Sequence, residues 1–274
     1  MIHSGKTTSK PMLVDTHAHL ELDPLFGRCE QVVANAVSAG IVAIVTVGID
    51  LEDVERALNV AERFPHVYAC VGFHPHNAKE AAAAGLSQME IYAKHPKVVG
   101  YGEIGLDFFR NHSPRDIQIR IFEEQLSLAK NLGKPVVIHL RDAYREGLEI
   151  LERSAPYPAG GVIHCFSGTQ ADADRAVALG FHISIPGTVT YKKNDALRSI
   201  AQKCPKERIL LETDCPFLSP EPLRGKDNEP ANIVYTAKKV AEVLGIPYES
   251  VCELTTTNAR HFFGLAVDAS LSKQ

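Results

Sequence analysis

Short apolar runs rich in Val and Ile recur eight times along this chain, and stretches of helical periodicity separate most of them. The runs are largely apolar on both faces, which is typical of strands that helices cover on both sides. Strands joined through helices pair in parallel by right-handed crossovers. Eight such units predict an α/β fold, a closed (β/α)8 TIM barrel, although the pattern alone leaves an open doubly wound sheet as the alternative. The predicted strands span residues 12–16, 41–47, 67–72, 98–103, 135–139, 161–165, 181–185 and 208–213.

Amphipathic segments predict the helices between and after these strands. Gly40, Gly133 and Gly180 fall where helices are expected to end. No composition shift marks a second domain, so we expect one barrel domain over 12–265, a polar extension over 1–11 and a polar tail over 266–274. The predicted helices span residues 51–63, 113–131, 142–153, 170–179, 194–203, 229–244, 248–254 and 257–263.

Charge and composition exclude some classes of protein. A formal net charge of −4 argues against a protein that coats long stretches of nucleic acid, which needs a broad basic face. The six cysteines form no CxxC pair, residues 1–11 lack an apolar run of signal-peptide length, and no stretch approaches the roughly 18 apolar residues of a membrane span. These features predict a cytoplasmic protein with no membrane association and no obligate protein partner.

Five of the predicted strands finish on a His, Glu or Asp directly after a hydrophobic run. In a parallel barrel the carboxyl ends of the strands converge on one mouth. His17 and His19 are two residues apart, so the strand period places both side chains on the inner face. Imidazole and carboxylate groups buried together suit divalent cations, which compensate the cost of burial. The predicted metal ligands are His17, His19, Glu103, His139, His164 and Asp214.

Four imidazoles and two carboxylates are more than one ion of usual coordination needs. We therefore predict two divalent metal ions, and two ions about 3.5–4 Å apart can bind both the attacking and the leaving oxygen of a phosphoryl transfer. Imidazole-rich sites favour Zn or Mn, whereas phosphate chemistry often uses Mg, so the identity of the metal stays open among these three. The predicted partition places His17, His19 and Asp214 on one ion, His139 and His164 on the other, and Glu103 as the bridge.

Several cationic or imidazole side chains are candidates for substrate contacts. His74 follows the third strand and is expected to touch substrate, whereas His76 is expected to be structural. Arg141 is expected to point into the mouth and pair with a phosphate, the alternative being a surface arginine that caps a loop. Arg224 and Lys226 lie beside a glycine and ahead of a helix, a setting in which side chains and backbone N–H groups bind phosphate oxygens.

Glu212 and two cysteines flank the predicted ligands. Glu212 shares the inward face with Asp214 one layer deeper, so we expect it to orient a ligand from behind. Cys165 and Cys215 each follow a predicted ligand and are expected to alternate to the opposite face, which disfavours a cysteine nucleophile. The chain also lacks a GxSxG elbow and a glycine-rich nucleotide loop.

Several long motifs closely resemble the signatures of the TatD family of metal-dependent hydrolases. The resemblance runs from about Met12 to Phe263, nearly the whole chain. Small departures concern substrate fit: Ala18 where cysteine is frequent, Leu140 where serine is commoner, and Phe108 and Phe109 where tyrosine or tryptophan is usual. The motifs are DTHAHL at 15–20, GEIGLD at 102–107, GVIHCFSG at 161–168 and LETDCPFL at 211–218, followed by RGK at 224–226 and NEP at 228–230.

The resemblance implies an amidohydrolase-like TIM barrel and a cytoplasmic, divalent-metal-dependent deoxyribonuclease. It implies 3'-5' exonuclease activity on single-stranded DNA, with RNA as a further substrate. By position it also implies the metal-ligand set that the strand-end pattern predicts.

A hydrolytic mechanism follows as a hypothesis. Metal ions lower the pKa of a bound water, and Asp214, expected to be the ligand most open to solvent, takes its proton. Arg141 stabilises the negative charge that builds up on phosphorus, and the predicted catalytic residues are Asp214 and Glu103. The same ligands also fit acyl transfer, either on a small amide or ester or in removing a D-aminoacyl group from tRNA. A non-catalytic binding or assembly module is a third alternative, but it predicts missing ligands and none is missing.

Overall fold

The computed structural model describes residues 11–81 and 84–266, and over these ranges eight parallel strands alternate with helices. Apolar side chains fill the strands and the layer between the strands and the helices, as covered parallel strands require. The strands are β1 (Leu13–Ala18), β2 (Ile41–Gly48), β3 (Val67–Val71), β4 (Val98–Asp107), β5 (Val136–Arg141), β6 (Gly161–Ile163), β7 (His182–Ile185) and β8 (Ile209–Leu211).

The strands close into a barrel. Each pairs in parallel with the next one along the chain, from β1 to β8. The turn after β8 then pairs with β1, because the His19 N–H donates to the Cys215 carbonyl at 2.8 Å and the Asp214 N–H donates to the His17 carbonyl at 2.9 Å. A doubly wound sheet would reverse its strand order and leave two edges. The prediction of a (β/α)8 TIM barrel is confirmed.

The helices lie near their predicted positions, with three differences. The sequence predicts no bounds for two of them, α1 and α3, although Gly40 marks the expected end of a helix where α1 ends; α3 lacks a clear polar face. The two short helices predicted near the C-terminus are one continuous helix, α9, in which the Thr255 hydroxyl donates to the Val251 carbonyl one turn earlier. The helices are α1 (Cys29–Ala39), α2 (Leu51–Arg63), α3 (Ala84–Ala93), α4 (Arg115–Asn131), α5 (Tyr144–Arg153), α6 (Gln170–Ala178), α7 (Asp195–Lys203), α8 (Ile233–Leu244) and α9 (Tyr248–Phe263).

The lengths of three strands bear on the site. Strand β4 extends to Asp107, four residues beyond its predicted end, whereas β6 and β8 end two residues early, at Ile163 and Leu211. The residues predicted to end β6 and β8 therefore lie on turns. The predicted extension over 1–11 and tail over 266–274 lie outside the described residues, apart from residues 11 and 266. No helix among the described residues is long and apolar enough to cross a membrane.

Gly105 lies on β4 opposite His139 of β5, and there is no room for a side chain there, so replacing it should lower stability. Its φ is 144°, and an added Cβ would lie 2.0 Å from the carbonyl oxygen of His139. We expect Gly105→Ala to lower the free energy of unfolding by about 2–4 kcal/mol, because backbone atoms must shift. Gly133→Ala is the control: its φ is also positive, but nothing lies within 4 Å, and we expect a loss of only about 1 kcal/mol. Urea unfolding measures both, and equal losses would contradict the steric account.

Candidate metal centre

The first cluster at the mouth of the barrel joins the end of β1 to the turn after β8. The Nε2 atoms of His17 and His19 lie 3.3 Å apart. Oδ1 of Asp214 lies 3.5 Å from Nε2 of His19 and 3.9 Å from Nε2 of His17. These three residues offer donor atoms that all lie within 4.8 Å of one another, which is the spacing that one cation can bridge.

Glu103, on β4, lies at the centre of the site. Its Oε1 is 2.6 Å from Nδ1 of His139, 3.3 Å from Nε2 of His164 and 3.6 Å from Nε2 of His74, and its Oε2 is 3.4 Å from Nε2 of His17. Burial by itself raises the pKa of Glu103, but the imidazoles of His164, His74 and His139 outweigh it and hold that pKa well below its ordinary value. The Glu103 carboxylate therefore carries a negative charge among four imidazoles.

The six predicted ligands thus meet in one place, and their chemistry fits divalent cations. Among the described residues, further sets of three side chains bring their donor atoms within 4.8 Å of one another. One set is His17, Glu103 and His164, and another is His164, Cys165 and Asp214. Nδ1 of His17 is buried and accepts or donates no hydrogen bond. Imidazoles and charged carboxylates buried together are costly alone, and cations bound among the Nε2 atoms and carboxylate oxygens would offset that cost. The assignment of each residue as a ligand stays a prediction.

His74 lines the mouth cavity and also lies against Glu103. It is buried, its Nδ1 accepts a hydrogen bond from the His76 N–H at 3.1 Å, and its Nε2 therefore faces Glu103. Burial lowers the pKa of His74 well below its ordinary value, so its imidazole is neutral. With Glu103 and His139 it forms a further donor group. His74 is placed to face a cation as well as substrate.

Asp107 is a buried carboxylate that the sequence reasoning missed. Its Oδ2 lies 2.9 Å from Nε2 of His76 and 3.4 Å from Nε2 of His139, and its Oδ1 accepts the N–H groups of Phe109 and Arg110. Burial raises the pKa of Asp107, but hydrogen bonds from His139 and His76 outweigh it and lower that pKa far below its ordinary value. Asp107 continues the inward alternation of β4, so the strand period would have found it had β4 been taken to its full length.

Two more acidic side chains that the sequence did not single out, Asp15 and Glu21, lie behind the first cluster. Each is two residues from a predicted ligand, Asp15 from His17 and Glu21 from His19. Glu21 Oε1 lies 2.8 Å from Nδ1 of His19, and its Oε2 accepts the Thr46 hydroxyl at 2.6 Å. Asp15 accepts the Thr213 N–H at 2.9 Å and the Thr213 hydroxyl at 2.6 Å, which ties β1 to the turn after β8. Burial raises the pKa of Asp15 to about 8 despite these bonds. Carboxylates behind a ligating imidazole fix its orientation.

Glu212 contacts the far side of His164. Its Oε2 lies 3.1 Å from Nδ1 of His164 and accepts the Ser184 hydroxyl at 2.6 Å, while its Oε1 accepts the Cys165 N–H at 2.6 Å. These contacts leave Nε2 of His164 directed at Glu103. The placement is what an orienting role requires, and the role itself stays a prediction.

Glu212→Gln tests that role. We expect the affinity for Mn²⁺ to fall about 10- to 100-fold, because the amide no longer fixes the imidazole of His164 as a charged acceptor does. Calorimetric titration of the metal-free protein measures this change. Glu207→Gln, which precedes β8 at the opposite end of the barrel, is the matched control and should bind as wild type. An unchanged affinity in Glu212→Gln would remove the role.

Two expectations about these side chains are wrong. Cys165 lines the cavity at the mouth rather than facing away, because β6 has already ended and the φ of Cys165 is 46°, so strand alternation no longer applies. Burial raises the pKa of the Cys165 thiol well above the ordinary value, which disfavours a thiolate nucleophile at this position. The side chain of Asp214 is 14% exposed and that of His139 is 16% exposed, so Asp214 is the more open of the two predicted carboxylate ligands but not the most open of the six predicted ligands.

The predicted substrate contacts divide into two sets. Arg141 and Arg224 line a mouth cavity of about 1210 Å³, and each guanidinium lies over an aromatic ring, Arg141 over Phe109 at 4.1 Å and Arg224 over Tyr191 at 4.4 Å. Lys226 lies outside the residues that line this cavity, and its carbonyl accepts the Ser219 hydroxyl. The geometry therefore gives the predicted phosphate contact of Lys226 no support.

Histidines and carboxylates clustered at the mouth of such a barrel are typical of one class of protein, the TIM-barrel metal-dependent hydrolases. Residues 14–264 match the family model described as TatD related DNase. The chain belongs to the TatD family, and the resemblance seen in its motifs is confirmed.

Relatives and solved structures agree with this assignment. The chain is 37% identical to the "Uncharacterized metal-dependent hydrolase YabD" of Bacillus subtilis, over 92% of this chain and 99% of that protein. It is 34% identical to the "3'-5' ssDNA/RNA exonuclease TatD" of Escherichia fergusonii, over 86% of this chain and 93% of that protein. The crystal structure of YJJV, a TatD homolog from Escherichia coli K12, superposes with a TM-score of 0.88 at 31% identity, over 92% of this chain and 98% of that one.

Proposed function

We propose that this protein is a metal-dependent phosphodiester hydrolase that removes nucleotides from the 3' end of single-stranded DNA, with RNA as a further substrate. The observation that carries the proposal is the Glu103 carboxylate, which is shared by donor groups on both sides of the site. A shared carboxylate between two imidazole sets suits a pair of ions acting on one phosphodiester. The name of the Escherichia fergusonii relative supports the choice of substrate and direction.

We propose that the site holds two divalent ions, Mg, Mn or Zn. When bound, such ions lower the pKa of the attacking water and stabilise charge on the phosphoryl oxygens. The ligands of one ion would be His17, His19 and Asp214, which form one donor group. Those of the other would be His139 and His164, and Glu103, which forms one donor group with His164 and another with His139, would serve both ions.

Asp214 is proposed to accept the proton of the attacking water. Burial raises the pKa of Asp214, but a hydrogen bond with His19 and the charges of His164 and His17 outweigh it and lower that pKa, so the carboxylate is ionised and able to accept a proton. Arg141 and Arg224 are proposed to hold phosphate oxygens from two sides of the cavity. Both guanidinium groups rest on aromatic rings, which limits their motion before substrate binds.

Labelled oligonucleotides test the function. Chelated protein receives Mg²⁺, Mn²⁺ or Zn²⁺ in turn and acts on single-stranded DNA and RNA labelled at the 5' or the 3' end. We expect metal-dependent shortening from the 3' end. A parallel panel of aminoacyl esters, small amides and D-aminoacyl-tRNA tests acyl transfer, and cleavage of that panel alone would overturn the nuclease proposal. The cytoplasmic location and the absence of an obligate partner stay predictions.

A further inference from the structure

Phe217 presents an exposed aromatic ring beside the metal centre. Among the described residues four large apolar side chains are exposed, and Val37 and Ile91 lie on outer helices. The other two, Phe109 and Phe217, lie on loops at the mouth, and of the four only Phe217, which is 52% exposed, lines the cavity. A single exposed ring is common on a protein surface, so it is the position of Phe217 on the wall of the cavity that makes it a candidate contact for a substrate.

The loop that carries Phe217 is held firmly. The Phe217 N–H donates to the Asp214 carbonyl at 2.9 Å. The Phe217 carbonyl accepts a hydrogen bond from the side-chain amide of Asn228 at 2.8 Å, and the same amide donates to the Thr213 carbonyl at 3.0 Å. Asn228 is buried. The ring is therefore exposed on a built turn rather than on a loose loop.

The Phe217 ring contacts His19, a member of the first cluster. Its centroid is 6.2 Å from that of His19, in a T-shaped contact. No side-chain cation lies over it among the described residues, whereas Phe109 and Tyr191 carry the guanidinium groups of Arg141 and Arg224. Phe217 thus offers a free aromatic face beside the place where a phosphodiester would be cut.

We propose that Phe217 stacks on the nucleobase attached to the phosphodiester that is cut, and so makes unpaired strand ends better substrates than base-free phosphodiesters. The inference rests on the proposed function. The arginines recognise phosphate in any diester, whereas an aromatic face recognises a base that is free to leave its own stack. Stacking tolerates every base, so the ring favours nucleotides over other phosphodiesters without reading sequence.

Two oligomers of equal length test the inference, one of thymidine and one of abasic tetrahydrofuran units. We expect wild type to cut the thymidine oligomer with a kcat/KM about 5- to 150-fold higher than that of the abasic oligomer. In Phe217→Ala this ratio should fall towards one, and in Phe217→Trp it should be kept. Ile91→Ala, an exposed apolar residue on α3, is the control and should keep the wild-type ratio.

Two results would overturn the inference alone: a wild-type ratio near one, or an unchanged ratio in Phe217→Ala. Cleavage of the abasic oligomer in either case leaves the proposed phosphodiesterase intact. Failure of wild type on both oligomers with every metal added would overturn the proposed function and the inference with it.

Discussion

Glu103→Gln is expected to lower kcat/KM for single-stranded DNA by roughly 10³-fold. The carboxylate lies within 3.6 Å of four imidazole nitrogens, those of His17, His74, His139 and His164. An amide has nearly the same shape but no charge, so the imidazoles lose their common anionic partner and both proposed ions lose an anionic ligand. Steady-state kinetics with saturating metal measures the loss.

The controls for Glu103→Gln separate chemistry from folding. Glu207→Gln makes the same chemical change at the opposite end of the barrel and should act as wild type. Circular dichroism and urea unfolding of Glu103→Gln should show a folded barrel, because the apolar core is unchanged. A folded Glu103→Gln protein that retains more than about a tenth of wild-type kcat/KM would contradict the shared role of this carboxylate.

Asp214→Asn is expected to lower kcat by about 10²- to 10⁴-fold, because an amide cannot accept the proton of the attacking water. Asp214 lies on a turn and its φ is 55°. The hydrogen bond from the Asp214 N–H to the His17 carbonyl holds this left-handed conformation in place. Asn tolerates that conformation, so the replacement changes the chemistry and leaves the backbone as it is. Rapid-quench measurement of a single turnover reports the chemical step.

Asp174→Asn, an exposed change on α6, is the matched control and should turn over as wild type. Metal titration of Asp214→Asn accompanies the kinetics, since Asp214 is also a proposed ligand. Near wild-type single-turnover rates in Asp214→Asn would remove its role as the base.

Strand period explains why the barrel and most of its mouth could be predicted. Alternation at the end of β1 places His17 inward, and His19, directly after the strand, keeps the same spacing. The register between β4 and β5 brings Gly105 opposite His139. Parallel strands bring their carboxyl ends to one edge, so the meeting of residues from distant segments needs no information beyond topology.

What the sequence could not provide depends on turns and on lengths. Cys165 reaches the cavity through a left-handed turn, which alternation does not describe. Asp107 was missed because β4 is longer than its apolar run. His74 follows β3 on a short turn, so its contact with Glu103 depends on how that turn packs across to β4. Lys226 lies on a loop, which has no regular alternation of inward and outward side chains. A motif alone therefore does not predict the direction of a side chain there.

Anomalous diffraction from crystals grown with Mn²⁺ tests the metal centre most directly. We expect two peaks at the barrel mouth about 3.5–4 Å apart, both in contact with Glu103, one also near His19 and the other near His139. A single peak, peaks away from Glu103, or none in crystals of protein that is active with Mn²⁺ would contradict the two-ion site.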